Sequence, residues 1–231
     1  VSTTMKCNWN FLPFIKQAAL TISIIVSCPS ISNSATHTNS LRIMTEFLPQ
    51  SLGLPFSANG TPSTLYWHAL FNTLTEWGVE DQLSPALSSS WEQRDPLTWA
   101  FVIRPGVRFS NGDTLNAESV STTLNWLANS PRGQSTLWGR ELNSIKRTEA
   151  ESDKTLIIYT SRPDPLIPNK LSGVFITHPS TFLDTDATDT FAREPIGTGP
   201  FILENWRDSK GQTLMRSAPE SWRKPSFRTL I

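Results

Sequence analysis

The histidines carry the most versatile side-chain chemistry in this chain, but their spacing matches no familiar catalytic or metal-binding pattern. His37, His68 and His178 lie far apart in the sequence, so no two of them share a helix face at the spacing that a metal ion requires. The sequence also lacks the Gly-x-Ser-x-Gly elbow of the α/β hydrolases. We therefore predict that the chain is not an enzyme and that it carries neither a metal ion nor a cofactor.

An acidic cluster and a glycine-rich turn are two further candidates for ligand chemistry. Asp184, Asp186 and Asp189 alternate as in a calcium loop, but the glycine and the distal glutamate of such a loop are missing, which favours a solvated loop. Residues 197–200 read Gly-Thr-Gly-Pro, without the spacing of a dinucleotide-binding loop or the following Lys-Ser or Lys-Thr of a phosphate loop. We interpret them as a turn with unusual backbone angles that leads into a strand at 201–203.

The composition limits the class of partner. The 20 basic residues equal the 20 acidic residues in number, so no overall field attracts nucleic acid or an anionic membrane surface. Nine tryptophans and seventeen prolines suit a loop-rich surface that binds small molecules, although a single tryptophan is more often part of a core. The 231 residues, 38% of them hydrophobic, are enough for one large core or two small ones.

The N-terminal segment, residues 1–34, is interpreted as an export signal. Lys6 and Lys16 precede an apolar run at 18–26, which is typical of a secretory signal peptide. The run is shorter than the ~20 apolar residues of a transmembrane helix. Two exits are open: Cys28 ends a lipobox-like string and would be lipidated, whereas cleavage after Ser34 would release a soluble protein into the periplasm. Contact with the membrane is expected only through that lipid.

The chain that follows is predicted to begin with a flexible linker at 35–40. A short strand is expected at 41–44. The apolar spacing of 63–77 predicts an amphipathic helix that ends at Gly78. This first part of the folded chain is thus expected to contain one strand and one helix.

A strand-rich region is predicted to come next. Alternating apolar residues indicate a strand at 99–103, followed by turns at 105–106 and 111–112. Asn116 is the predicted cap of a helix, and the buried stripe of that helix is Val120, Leu124 and Leu127. Two further strands are expected at 142–146 and 156–160.

Two ordered sets of residues resemble a known family. Residues 86–92 (ALSSSWE), 99–112 (WAFVIRPGVRFSNG) and 115–120 (LNAESV) form the first set, and 194–201 (EPIGTGPF) with Trp206 form the second. They resemble the signature of the family 5 extracellular solute-binding proteins, which serve ABC importers of the peptide and nickel type. The residues that match the pattern, with an expected structural role, are Trp99, Phe101, Arg104, Gly106, Phe109, Gly112, Gly197, Gly199 and Pro200.

The resemblance implies an α/β fold, namely one lobe of a type II periplasmic-binding-protein clamp with an inserted α+β subdomain. The expected division is 41–82 for the first part of the lobe, 83–183 for the insertion and 184–231 for the return into the lobe. Family members are well over twice as long, so the second lobe is expected to be missing. One departure weakens the expected helix start, because Ser119 replaces the aspartate that usually completes the capping box.

The function that the resemblance implies is capture of a peptide for the permease subunits of an ABC transporter, with nickel or a glycoside as other solutes. The expected ligand contacts are Phe47, Leu48, Pro49, Tyr66 and Trp67, although a core position is equally expected for Trp67. Two alternatives stay open: a truncated, non-functional fragment, and the sensor domain of a transcription regulator. The export signal argues against the regulator, whose DNA-binding helices are expected in its place.

Overall fold

The structure is a computed structural model that describes residues 39–44, 55–56, 61–182, 194–206 and 211–231. Within these residues the strands are β1 (Ser40–Leu41), β2 (Thr75–Trp77), β3 (Leu83–Pro85), β4 (Ser88–Asp95), β5 (Thr98–Ile103), β6 (Ile145–Ser152), β7 (Thr155–Thr160), β8 (Phe201–Asn205), β9 (Leu214–Ser217) and β10 (Thr229–Leu230). The helices are α1 (Thr61–Leu70), α2 (Ala117–Asn129), α3 (Pro131–Ser135), α4 (Leu137–Glu141) and α5 (Ile167–Lys170), and a 3-10 helix spans Pro179–Phe182.

The first sheet joins strands from both ends of the described chain. Its order is β1-β10-β9-β8, with β1 parallel to β10 and the other pairs antiparallel. Helix α1 packs on this sheet, and together they bury one apolar core: Trp67, Ala69, Leu70, Phe71, Phe175, Phe201 and Met215. Because β1 and β10 run in the same direction, the residues that follow them emerge at the same edge of the sheet.

The second sheet, β4-β5-β7-β6, is antiparallel throughout and carries the larger core. Alternate residues of β5 are buried in this core together with the predicted stripe of α2: Trp99, Phe101, Ile103, Val120, Leu124 and Leu127. The predicted strands at 99–103 and 156–160 and the predicted helix after Asn116 are therefore confirmed. Phe56, Leu74 and Ile196, from outside 83–183, also pack on this core.

The helix predicted over 63–77 is wrong in its second half. Helix α1 ends at Leu70, and 75–77 form β2, which pairs with β3 through a turn that contains Gly78. Tertiary partners take the backbone groups at the helix end: the Gly199 N–H donates to the Leu70 carbonyl at 3.0 Å, and the Ile176 N–H donates to the Asn72 carbonyl at 2.9 Å. These bonds compete with continuation of the helix, and apolar spacing alone does not predict them.

The strand predicted near Leu142 lies further along the chain, at β6. Leu142 instead follows α4 and is fully buried. The sequence conceals β6 because its outward-facing residues are charged, and they form ion pairs on the outer surface. Arg147 pairs with Glu149, and Glu151 pairs with Arg94 of β4. These charged side chains therefore form the solvent side of a strand.

Asn116 caps α2 as predicted, and the capping box closes without an acid. The Asn116 Oδ1 accepts from the Ser119 N–H at 2.9 Å, and the Ser119 hydroxyl accepts from the Asn116 N–H at 3.1 Å. The prediction that Ser119 weakens this helix start is wrong for the hydrogen bonds of the capping box, because its hydroxyl oxygen replaces the carboxylate as acceptor. Glu118 adds a negative charge in the first turn, where the helix dipole favours it.

Several sequence predictions lie outside the described residues. They concern the signal peptide at 1–34 with Cys28, most of the linker, the predicted ligand contacts Phe47, Leu48 and Pro49, and the acidic residues at 184–189. None of the helices within the described ranges combines the length and the apolar character needed to span a membrane.

Candidate functional site

A cavity of about 330 Å³ lies where β1 and β10 end. Parallel strands of an α/β fold commonly place ligands beyond their carboxyl ends, where the loops leave room. The walls come from four separate parts of the chain: residues 42–44 after β1, Leu65 and Tyr66 of α1, residues 211–213 and Met215 at β9, and residues 230–231. A site assembled at this edge depends on the parallel pairing of β1 with β10.

The cavity wall is largely apolar, and it is open to solvent. Met44 is 93% exposed and Leu65 is 51% exposed, although both carry large apolar side chains. The burial of such apolar side chains by a ligand is energetically favourable. Of the described residues that line the cavity, Arg42 is the charged one. Thr213 is buried, and among the described residues its hydroxyl has no hydrogen-bond partner.

The two aromatic residues predicted to contact ligand separate in the structure. Tyr66 lines the cavity, and its ring meets the Trp206 ring edge-on with 5.6 Å between centroids. Trp67 is only 4% exposed and packs against Phe71 in the core. Successive residues of a helix point about 100° apart, so Trp67 lies about 200° around the helix from Leu65, which lines the cavity, and its ring faces the core instead. Trp67 therefore occupies the core position that the sequence had left open.

The backbone of β1 provides a second kind of contact surface. The Ile43 N–H donates to the Ile231 carbonyl at 2.8 Å, and the Leu41 carbonyl accepts from the Ile231 N–H at 3.0 Å. In a parallel pair of strands, one residue bonds to two alternate residues of its neighbour, as Ile231 bonds to Leu41 and Ile43. The backbone N–H and C=O of Arg42, which lies between them, therefore point away from β10, toward the other edge of the strand. No strand of the described residues pairs with that edge. An extended ligand could therefore add to the sheet there.

The first set of family-like residues has structural roles. Phe101 and Phe109 are buried in the larger core. The Arg104 Nε donates to the Ala86 carbonyl at 2.8 Å, and the guanidinium lies over the Trp222 ring, 4.8 Å from its centroid. Gly106 and Gly112 have φ values of 77° and 92°, which glycine adopts without strain. These contacts hold the turns after β5 in place.

Gly197 and Gly199 also have a structural role, but the reason differs from the prediction. Among the described residues, positive φ angles occur at other glycines and not at these two. A Cβ at Gly199 would lie 2.5 Å from the Ala69 carbonyl oxygen, and a Cβ at Gly197 would lie 2.5 Å from the Phe71 ring. Close approach to the end of α1, rather than unusual backbone angles, requires glycine here. Pro200 follows, and its carbonyl accepts from the Ala218 N–H at 2.8 Å.

The structure also forms a hydrogen-bonded chain that the sequence did not indicate. The His178 Nε2 lies 2.9 Å from Asp113 Oδ2, and its Nδ1 lies 2.7 Å from Ser180 Oγ. The Ser180 N–H also donates to Nδ1 and the Thr181 N–H donates to the His178 carbonyl, so the ring caps the 3-10 helix. The neighbouring backbone donors are thus already paired, and an oxyanion would find neither of them free. We interpret these hydrogen bonds as structural: they attach the 111–113 turn to the 3-10 helix.

His68, the other histidine of the described region, packs against an aromatic ring. His68 packs edge-on against Phe175 with 4.9 Å between ring centroids. Burial lowers the pKa of His68, and the nearby Glu76 carboxylate partly offsets that effect. Within the described ranges, no group of three or more His, Cys, Asp or Glu side chains is arranged to hold a metal ion.

An α/β lobe with an open cavity at its parallel strand ends defines a class: it is the type II periplasmic-binding-protein lobe that the sequence predicted. The sequence model described as "Bacterial extracellular solute-binding proteins, family 5 Middle" matches residues 82–230. This chain belongs to that family. Members of the family bind small solutes and deliver them to ABC permeases, and they are typically periplasmic or extracellular and generally non-enzymatic.

Solved structures share the fold at low sequence identity. AgaA from A. tumefacien R10, in complex with agropinic acid, superposes with a TM-score of 0.73 and 22% identity over 83% of this chain and 38% of AgaA. AppA from Bacillus subtilis, in complex with a nonapeptide, superposes with a TM-score of 0.71 and 20% identity over 83% of this chain and 39% of AppA. These likenesses establish the fold alone.

Curated relatives are similar at higher identity. The HTH-type transcriptional regulator SgrR of Escherichia coli O1:K1 / APEC is 31% identical over 181 residues, which cover 77% of this chain and 30% of SgrR. Protein XP55 of Streptomyces lividans is 29% identical over 165 residues, which cover 69% of this chain and 29% of XP55. The chain thus spans about 30% of the length of these two relatives.

Proposed function

We propose that this chain binds a peptide, or a closely related small solute, for import by an ABC transporter. The observation that carries the proposal is the open, largely apolar cavity beside the edge of β1 that no described strand pairs with. A peptide adding to this edge would form main-chain hydrogen bonds, which do not depend on its sequence, while its side chains enter the cavity. We also propose that Phe47, Leu48 and Pro49, which follow Met44 in the sequence, extend this surface.

We propose that the protein acts outside the cytoplasm and that it binds its ligand without catalysing a reaction. We propose that residues 1–34 direct export, and that the chain then either carries a lipid on Cys28 or is released after Ser34 into the periplasm. The partners would be the permease subunits of the transporter, without nucleic acid. A fusion to alkaline phosphatase, which is active only after export, tests this, and Cys28→Ala should abolish membrane retention only if the lipid route operates.

Ligand binding is tested by titrating the purified chain with a mixture of short peptides while following tryptophan emission. Trp206 lies against Tyr66 and should report occupancy of the cavity. Tyr66→Ala should weaken binding about tenfold, which corresponds to ~1.4 kcal/mol of lost contact. Tyr159→Ala is the matched control, because Tyr159 lies in β7 and outside the cavity lining. The absence of any saturable change with the unmodified chain would reject the proposal.

A second candidate is solute sensing as part of a regulator, favoured by the 31% identity to SgrR over 181 residues. Both candidates require ligand binding, so location distinguishes them. Activity of the alkaline phosphatase fusion supports the transport protein. An inactive fusion that stays in the cytoplasm, together with binding of its intact gene product to promoter DNA, would support the sensor instead.

A further inference from the structure

The 111–113 turn begins with an Asn-Gly pair, a dipeptide that is prone to deamidation. Asn111 and Gly112 are both exposed to solvent. Glycine has no side chain to shield its backbone nitrogen, so this nitrogen can attack the side-chain amide carbon of the preceding asparagine. The bond from the Gly112 nitrogen to the Asn111 Cγ forms, the Cγ–Nδ2 bond breaks, and ammonia leaves with the proton of the Gly112 N–H. Water then opens the succinimide ring to aspartate or isoaspartate.

The folded turn engages both groups that this reaction needs. The Gly112 N–H donates to the Phe109 carbonyl at 2.9 Å. The Asn111 amide is held at both ends, because its Oδ1 accepts from the Asp113 N–H at 3.1 Å and its Nδ2 donates to the Asp113 Oδ2 at 2.7 Å. A backbone donor at one end and a carboxylate acceptor at the other leave the amide a single orientation. The reaction therefore requires the turn to open first.

His178 holds the same carboxylate from a distant part of the chain. Its Nε2 lies 2.9 Å from the Asp113 Oδ2, the oxygen that also accepts from Asn111, although the two residues are 65 positions apart. The His178 ring also meets the Phe109 ring edge-on, with 5.0 Å between centroids. The His178 side chain is 18% exposed and that of Asp113 is 62% exposed. A largely buried ring thus fixes the acceptor of an exposed amide.

We propose that Asn111 is a deamidation site that the folded protein suppresses, and that His178 is the positioning residue that keeps the Asp113 carboxylate on the Asn111 amide. In the aspartate product, a carboxylate replaces the amide nitrogen that now lies 2.7 Å from the Asp113 Oδ2, and two carboxylates so close repel each other. The modified turn therefore opens. Its attachment to the 197–200 segment, through the 2.8 Å bond from the Ser110 N–H to the Gly197 carbonyl, weakens as the protein ages.

The test measures how fast Asn111 is converted when the full chain is incubated at neutral pH, by peptide mapping and mass spectrometry of aspartate and isoaspartate. The rate in the folded protein should be at least about tenfold below the rate in urea, because the reaction waits for the turn to open. Asn59 and Gly60 form the other Asn-Gly pair of the sequence and give the intrinsic rate in urea, which Asn111 should match there. Equal rates at Asn111 with and without urea would overturn the proposal.

His178→Phe tests the positioning role, because phenylalanine keeps a ring against Phe109 but removes the Nε2 donor. Conversion of Asn111 in the folded protein should rise about fivefold, the effect of losing a bond to an exposed carboxylate. His68→Phe is the matched control, since His68 packs against Phe175 instead, and it should leave the rate unchanged.

Asp113→Ala removes the same bond from its exposed end and should also raise the rate, so the test does not depend on His178→Phe folding. An unchanged rate in both folded variants would overturn the role of His178. An equal rise in His68→Phe would trace the effect to general stability and would overturn that role as well.

Discussion

Gly199→Ala should destabilise this protein more than an ordinary glycine substitution, because the new methyl group would meet backbone. The added Cβ would lie 2.5 Å from the Ala69 carbonyl oxygen and 2.7 Å from the Leu70 carbonyl oxygen. Real contacts of this kind are longer, and a backbone atom cannot rotate out of the way as a side chain can. The 197–200 segment would have to move away from the end of α1.

The movement has two costs. Forcing an extra methyl group into a packed site typically costs about 1–3 kcal/mol. The hydrogen bond from the Gly199 N–H to the Leu70 carbonyl would also lengthen, and its loss costs about 1 kcal/mol. We expect a total of about 3 kcal/mol in urea unfolding, or a drop in melting temperature of roughly 6–12 °C for a chain of this size.

Gly106→Ala is the control for this experiment. Gly106 has a φ of 77°, and a Cβ there would meet nothing within 4 Å, so only the backbone conformation is strained. That strain should cost about 1 kcal/mol, and Gly106→Asn should recover part of it because asparagine tolerates positive φ. No such recovery is expected for Gly199→Asn. If Gly199→Ala costs no more than Gly106→Ala, the close approach to α1 does not explain the glycine.

Three further predictions concern stability. Asn116→Ala removes the oxygen that accepts from the Ser119 N–H and should cost about 1 kcal/mol in urea, whereas Asn116→Asp should not. Leu124→Ala leaves a cavity in the core and should cost about 3 kcal/mol in the same assay. Burial would raise the pKa of Asp164, but hydrogen bonds from Lys170 and other donors outweigh it and hold that pKa below its ordinary value. The stabilisation is therefore complete above the ordinary pKa and is lost as the pH falls through the lowered one, so Asp164→Asn should flatten a melting curve against pH below about pH 4.

The elements that the sequence predicted well are those in which local pattern and burial agree. In β5, Trp99, Phe101 and Ile103 alternate with residues of the other face, and all three are buried. In α2 a polar cap precedes a stripe of three apolar residues on one face. Both signals are contained within about a dozen residues, so no distant contact was needed to find them.

The errors arose where a distant segment decides the local structure. The spacing of Leu70 and Leu74 fits a helix, but these side chains belong to two different cores, which a single helix face cannot reach. The end of α1 is fixed by Gly199, more than a hundred residues later, through the bond to the Leu70 carbonyl. A reading of 63–77 by itself contains no information about that partner.

The candidate site was predictable only in part, for the same reason. The aromatic pair at Tyr66 and Trp67 indicated this part of α1, but both residues are large and amphipathic, so only packing decides which of them faces the cavity. Arg42 and Thr213 gave no signal in the sequence, since a lone arginine or threonine is ordinary. They become notable when the fold places them on the walls of the same cavity.

The fold and the candidate site depend on the same few hydrogen bonds, and this links ligand binding to the stability of the sheet edge. Strand β1 is two residues long and is held to β10 by the ladder that ends at the bonds between Ile43 and Ile231 and between Leu41 and Ile231. The same residues position Arg42, so binding at the proposed site would require the edge strand to be in place. A ligand that binds only the paired state stabilises it by about 1.4 kcal/mol at ten times its Kd. A short edge strand of this kind costs little to open, which would suit the proposed capture and release of a solute.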